Sequence, residues 1–311
     1  MALRRTPPDS SFPAWAEGVR GDLARDEPMA RHTSWRVGGP ADWFFRPSDL
    51  QDLSDLLARL PVDVPVTWVG LGSNLLVRDG GLRGVVISPR PALTAFEERA
   101  DGSLRVGAGI ACARIARHAA RAGQAPAAFF AGIPGTLGGA LAMNAGAWGG
   151  ETWDVVVEVE TVDRQGVCHR RPASGYEVAY RHVAGRTHDI TAEWFTAAVL
   201  AFPRDNESED IRSLLVRRKQ TQPLGQPSCG SVFRNPPGDH AARLIEACGL
   251  KGKRLGGAEV STKHANFIIN AGGALAADIE ALVEEVRSTV ADRMGVSLIA
   301  EVRIVGEASS S

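Results

Sequence analysis

Phe130–Glu151 reads F-A-G-I-P-G-T-L-G-G-A-L-A-M-N-A-G-A-W-G-G-E, with seven glycines: Gly132, Gly135, Gly138, Gly139, Gly146, Gly149 and Gly150. Glycine lets the backbone take φ > 0 and lets a second backbone or a ligand approach where a Cβ would clash. A run of bare amides with Thr136 and Asn144 among them suits a pyrophosphate. The stretch is not a Walker A loop, because no Lys-Ser/Thr pair follows the glycines, and it does not read G-x-G-x-x-G. From these residues alone a tight Ala/Gly turn packed between elements is an equal alternative.

A second loop shifts that balance. Val69–Val77 reads V-G-L-G-S-N-L-L-V after the strand-like Val64–Val69, and the turn signal Asp79-Gly80-Gly81 and a strand at Gly84–Ser88 follow. Neither loop contains Lys or Arg, so the pair suits a large dinucleotide gripped mainly by backbone. Together, G-x-G-S-N-L-L and G-I-P-G-x-x-G-G-A-x-x-M-N-A-G-A-x-G resemble the flavin-binding domain of the UDP-N-acetylenolpyruvoylglucosamine reductase (MurB) family. The resemblance implies non-covalent FAD, held by Gly70, Gly72, Ser73 and Asn74 from one loop. From the other it implies Gly132, Ile133, Pro134, Gly135, Thr136, Gly138, Gly139, Asn144, Ala145 and Gly146. It also implies an α+β fold: two α/β lobes of the PCMH-type flavin fold, at 20–90 and 91–205, and an appended α+β substrate-binding domain at 206–296. A last segment, 297–311, forms a C-terminal strand carrying Glu301.

Composition fits a soluble globular chain. Apolar residues are 44% and charged residues 23% of 311, enough chain for two or three domains. A formal net charge of -1 gives no global field for nucleic acid or an acidic membrane surface, so anionic ligands need local Arg and Lys. Cys112, Cys168, Cys229 and Cys248 are scattered without C-x-x-C spacing, which argues against a zinc site or a disulfide framework and fits a reducing cytosol. Met1–Glu17 has no apolar core of a signal peptide, and no apolar run reaches the ~20 residues needed to span a bilayer. The expectation is a cytoplasmic monomer with no metal, no nucleic acid and no membrane insertion.

Along the chain, residues up to about Arg31 read as loosely ordered until docked, with a short helix at Trp15–Ala24. Trp35–Val37 and Asp42–Arg46 read as short strands broken at Gly38-Gly39-Pro40. Ser48 with Gln51 reads as a capping box before a helical face of Leu50, Leu53, Leu57 and Leu60. Leu104–Gly109 reads as a strand and Cys112–Arg121 as a helix stopped by Gly123. Asp154–Val162 and Phe195–Phe202 read as strands. Ser208, Glu209 and Asp210 open a helix that Arg217-Arg218-Lys219 closes. A domain boundary near 206 precedes a helix at Ala241–Cys248, a strand at Ala265–Asn270, a helix through Ile279, Leu282, Val283, Val286, Val290 and Met294 ended by Gly295, and a strand at Ala300–Val305.

Three further stretches extend the resemblance: Tyr180-Arg181-His182, Gln222–Pro236 (Q-P-L-G-Q-P-S-C-G-S-V-F-R-N-P) and Leu298–Gly306 (L-I-A-E-V-R-I-V-G), with K-H-A-N-F-I-x-N ending at Asn270. Matching stretches run from Thr33 to Gly306. They imply Arg181, Ser231 and Glu301 as catalytic residues, with Tyr180, Arg217, Asn235 and His264 on the substrate, and Arg218, Lys219 and Lys263 as alternative cations for its UDP. The implied reaction reduces UDP-N-acetylglucosamine enolpyruvate to UDP-N-acetylmuramate for peptidoglycan synthesis, with NADPH as co-substrate. Charge on the substrate's carboxylate then calls for fixed donors, which a permanently charged planar Arg181 supplies. Glu301 helps only by holding or sharing a proton, and Ser231 is the acid that protonates carbon. Each residue alone is bland: an Arg beside a Tyr is usually a surface ion pair, and a Ser between Gly and Val is usually turn chemistry. Cys229 reads as packing. The family pattern has Ser where Val183 stands, and the segment after Arg181 is short, as in a shorter subtype. An oxidase on the same flavin domain and a non-catalytic nucleotide-binding module are the rival readings.

Overall fold

The computed structural model describes residues 12–122, 125–202 and 211–309. The first sheet has four strands. Asp22–Pro28 runs antiparallel to Pro40–Arg46, which pairs in parallel with Leu82–Ile87, and that strand pairs in parallel with Val66–Trp68. Helix α1 (Leu50–Arg59) buries Leu53, Leu56, Leu57 and Leu60 against it.

The N-terminal expectation fails in an instructive way. Asp22–Pro28 (D-L-A-R-D-E-P) is a strand, not the end of a helix. Its charges and its proline suit an edge position, where they discourage further pairing, but they hide it from a reading based on apolar alternation. The chain enters that strand over Asp52, whose buried carboxylate accepts the amides of Arg20, Gly21 and Ser48 at 2.9, 2.8 and 2.9 Å. The cap of α1 is Asp49, which accepts from Asp52 N at 2.8 Å, rather than Ser48. Trp35–Val37 is irregular rather than a strand. Trp35 is instead fully buried and donates Nε1–H to Ile268 O at 2.7 Å.

The second sheet is antiparallel, in the order Cys168–Pro172, Val156–Asp163, Glu193–Leu200, Leu104–Gly107, Phe96–Glu98. Helices α2 (Cys112–Arg121) and α3 (Leu137–Ala142) share its core through Ile115, Ala119, Leu137 and Leu141. The expected stop at Gly123, like the helix opening at Ser208–Asp210 and the boundary near 206, lies outside the described residues. Two tight hairpins rise from this lobe: Gly146–Ala147 with Gly150–Glu151, and Tyr176–Ala179 with His182–Gly185.

Helix α4 (Ile211–Thr221) leads into a third sheet of Arg254–Leu255, Ala258–Val260 and Ile268–Asn270, with α5 (Ala241–Ala247) and α6 (Ala276–Met294) packed on it. Gly249 (φ +70) follows α5, and Gly295 caps α6 at φ +68. The last strand is shorter than expected, Arg303–Val305, so Glu301 precedes it rather than lying on it. That strand pairs in parallel with Leu75–Val77, which returns the C-terminus to the first sheet's side of the molecule. The third sheet's core cluster accordingly takes in Trp35, Val37 and Leu76 from the first lobe.

Candidate active site

The two glycine-rich loops face each other. A Cβ on Gly70 would lie 2.4 Å from Thr136 Oγ1, and one on Gly135 would lie 3.2 Å from Ser73 Oγ. Between them opens a cavity of about 930 Å³. Its walls come from both lobes and from the C-terminal part of the chain, including Trp68, Gly139, Trp148, Tyr180, Arg181, Trp194, Arg218, Ser231, Asn235 and Glu301. Gly139 has nothing nearer than Thr136 Oγ1 at 4.0 Å, so a side chain there would grow into the cavity.

Other glycines on the cavity are also packed closely by protein. Gly72 (φ +58) sits where a Cβ would be 2.0 Å from His32 O, and a Cβ on Gly132 would meet Ala147 Cβ at 2.4 Å. The amides of Leu137 and Gly138 at the start of α3 donate to Ile110 O and Ala108 O at 2.8 and 2.9 Å. Less of that helix start is therefore open to a pyrophosphate than the glycine count suggests, and weight moves to the facing loop at Gly70–Asn74.

Arg181, Ser231 and Glu301, 120 residues apart at the extremes, line the same cavity. Tyr180 and Arg181 are the two loop residues between Ala179 and His182. Arg181 holds φ +55, a left-handed conformation that non-glycine residues adopt at a cost. Its Nε donates to Glu301 Oε1 at 2.7 Å, with side chains only 16% and 12% exposed, and Nη1 reaches Asn144 O at 3.4 Å. Glu301 is anchored by backbone: its amide donates to Val232 O at 2.7 Å and its carbonyl accepts from Asn74 Nδ2 at 3.1 Å. The first of these bonds brings it beside Ser231, which follows the left-handed Gly230 (φ +84).

Asn266, which the sequence reading left without a role, clamps this loop. Its backbone O accepts from Val232 N, its Oδ1 from Phe233 N, and its Nδ2 donates to Phe233 O, at 2.9, 2.9 and 2.8 Å. Tyr180 lies 5.2 Å from the Arg181 guanidinium carbon, and burial, then Glu301, raises its phenol above the usual range. Burial pushes the Cys229 thiol well up, with Glu301 adding to it, so this cysteine is held as a neutral packing group.

The comparisons with known proteins cover nearly the whole of this architecture. A family model described as "UDP-N-acetylenolpyruvoylglucosamine reductase, C-terminal domain" matches residues 222–305, and one described as "FAD binding domain" matches residues 41–171. The UDP-N-acetylenolpyruvoylglucosamine reductase of Alkalilimnicola ehrlichii is 60% identical over 93% of this chain and 97% of its own. That of Methylococcus capsulatus is 56% identical over 94% of this chain and 95% of its own. This chain belongs to the UDP-N-acetylenolpyruvoylglucosamine reductase family. The crystal structure of the MurB enzyme from Thermus caldophilus superposes with a TM-score of 0.75 at 30% identity, over 92% of this chain and 98% of that one.

As a MurB-family site, the cavity fits FAD: a cation-free cradle of opposed loops, with Gly139 and Gly135 on its wall. The other expected contacts lie as follows. Asn144 is not on the cavity wall. It is buried, donating to Glu151 Oε2 at 2.6 Å and accepting from Trp153 N at 3.1 Å, so it braces the hairpin. Arg217 is exposed to solvent and the next residue, Arg218, lines the cavity, because one helical step of about 100° separates the two faces of α4. Arg218 donates to Gln222 Oε1 at 2.9 Å and Ala131 O at 3.2 Å, and burial lowers its guanidinium pKa. His264 is also off the wall. Its ring lies 4.8 Å from that of Phe267, and burial, then Lys251, lowers its pKa. Asn235 is on the wall, and its Oδ1 accepts from Ala241 N at 3.1 Å, capping the start of α5. Val183 lines the cavity from the strand His182–Gly185.

Proposed function

We propose that this chain reduces the enolpyruvyl ether of UDP-N-acetylglucosamine to the lactyl ether, UDP-N-acetylmuramate, with FAD as its resident cofactor. NADPH is the electron source, and the enzyme works as a cytoplasmic monomer in peptidoglycan precursor synthesis. The observation that carries the reading is the Arg181–Glu301 pair lining the same cavity as Ser231 and the two glycine-rich loops. Bound non-covalently along Gly70–Asn74 and Gly135–Gly139, FAD supplies the hydride.

The chain's own residues do the rest. Arg181 meets the substrate carboxylate with a planar guanidinium fork. Glu301 holds the Arg181 guanidinium in position through the 2.7 Å bond to Nε. Ser231 donates the proton to carbon as a general acid, its position fixed by the Asn266 clamp and by Glu301 N on Val232 O. Arg218 and Asn235 are the substrate contacts on the C-terminal side, with Tyr180 over Arg181. The lobes at 20–90 and 91–205 hold the cofactor and 206–296 holds the substrate; each sheet has its own core cluster, although the third shares Trp35, Val37 and Leu76 with the first lobe and the first shares Leu93 and Val162 with the second.

Absorption of the purified protein before and after acid denaturation tests the cofactor. The expected result is a yellow protein that releases FAD. A colourless protein that takes up no added FAD overturns the reading, and flavin that stays with the denatured chain favours the oxidase alternative.

A further inference from the structure

Trp148 and Gly149 are the two loop residues of the hairpin that pairs Ala147 with Gly150. Both have positive φ, +52 and +85, which is the signature of a type I′ turn. The first position of that turn ordinarily takes Asn, Asp or Gly, and a bulky residue at φ > 0 is an outlier that the surroundings must sustain. The indole is not spent on the core, since Trp148 remains 38% exposed. One edge rests on Gly132, where a Cβ would lie 3.1 Å from its Cζ3, and the residue lines the cavity.

The adjoining residue, Ala131, accepts from Arg218 Nη1 at 3.2 Å. Arg218 is a partly desolvated cation on the same cavity, and among the described residues its side-chain bonds go to neutral acceptors, Ala131 O and Gln222 Oε1. An exposed aromatic face, held at a backbone cost, therefore shares the cavity with a guanidinium that, among the described residues, is bonded to neutral acceptors. A base stacks on the first and a phosphate pairs with the second.

We propose that Trp148 is the stacking platform for the base of a nucleoside diphosphate whose phosphate lies against Arg218. The inference rests on the functional reading above only for its two possible sources, the UDP of the sugar substrate and the co-substrate NADPH.

The test uses the FAD-loaded protein. UDP and, separately, NADP+ are titrated by calorimetry against the wild type, Trp148→Asn and Trp148→Phe, with flavin content and thermal midpoint measured for each. Asn suits the left-handed turn position better than Trp, so Trp148→Asn keeps or raises the midpoint and leaves flavin content unchanged. Its affinity for one or both nucleotides falls by roughly 5- to 100-fold, the loss that follows removal of one base–aromatic stack, and Trp148→Phe retains most of it. A loss confined to UDP identifies the substrate's base, and a loss confined to NADP+ identifies the co-substrate's. Unchanged affinity for both in Trp148→Asn overturns the proposal, as does a fall in flavin content that parallels the loss. If the wild type binds neither nucleotide, the functional reading falls with it; if all three proteins bind both equally, only this proposal falls.

Discussion

At the scale of single residues, Arg181 and Glu301 combine backbone strain with a buried ion pair. A left-handed arginine at a hairpin tip costs on the order of 1–3 kcal/mol, and the 2.7 Å bond to Glu301 and the contact with Asn144 O hold it there. Ser231 makes no comparable investment; it is delivered by the backbone bonds of its neighbours Val232 and Phe233. Its role is therefore separable from folding. Ser231→Ala is expected to leave reduction of the flavin by NADPH close to normal and to slow reoxidation by the enolpyruvyl substrate by about 10²–10⁴-fold, the usual worth of a placed general acid. Ser231→Cys, which keeps a transferable proton at similar reach, recovers part of the loss. Stopped-flow absorbance separates the two phases, and equal slowing of both in Ser231→Ala would mean that the residue shapes the cofactor pocket instead.

At the scale of elements, Gly72 and Gly139 both line the cavity, but an added side chain would run into protein at the first and into open space at the second. Gly139→Val sends its side chain into open space on the cavity wall and is expected to fold with little change in thermal midpoint while losing FAD occupancy. Gly72→Ala meets His32 O and a positive φ, so it lowers the midpoint, by more than the ~1 kcal/mol that separates Gly and Ala in ordinary backbone. Thermal denaturation with flavin quantitation checks both, and the reverse pattern would show the loops to be assigned the wrong way round.

This division was not legible in the sequence, where Gly72 and Gly139 look alike. Legible were elements with strong local periodicity, such as α2 at Cys112–Arg121 and the apolar face of α6. The edge strand Asp22–Pro28 was not, because its partner, not its own pattern, makes it a strand. The same limit explains the site. The family resemblance brought Arg181, Ser231 and Glu301 to notice, but whether Arg217 or Arg218 lines the cavity depends on which face of α4 meets it. The bracing role of Asn144 likewise depends on Glu151 and Trp153 folding onto it.

At the scale of the whole molecule, the C-terminal part is fastened to the first lobe more firmly than a separate domain would be. Asp79 accepts the amides of Ala276 and Ala277, both at 2.9 Å, and so caps α6 from nearly 200 residues away, while Arg78 pairs with Glu280 at 2.7 Å. Asp79→Ala should cost about 0.5–2 kcal/mol, the range for a lost helix cap, read as a lower denaturant midpoint with FAD content unchanged. An unaltered midpoint would show this junction to be incidental. The fastening matters because Glu301 reaches the cavity on the chain that leaves the C-terminal part, just before its strand pairs with Leu75–Val77.

The measurement that bears most directly on the whole account is anaerobic stopped-flow of the flavin absorbance through both half-reactions. NADPH is expected to bleach the bound flavin, and UDP-N-acetylglucosamine enolpyruvate, but not UDP-N-acetylglucosamine, is expected to restore the colour with formation of the lactyl ether. Flavin that NADPH reduces but that only oxygen reoxidises, with the enolpyruvyl substrate recovered unchanged, would contradict it.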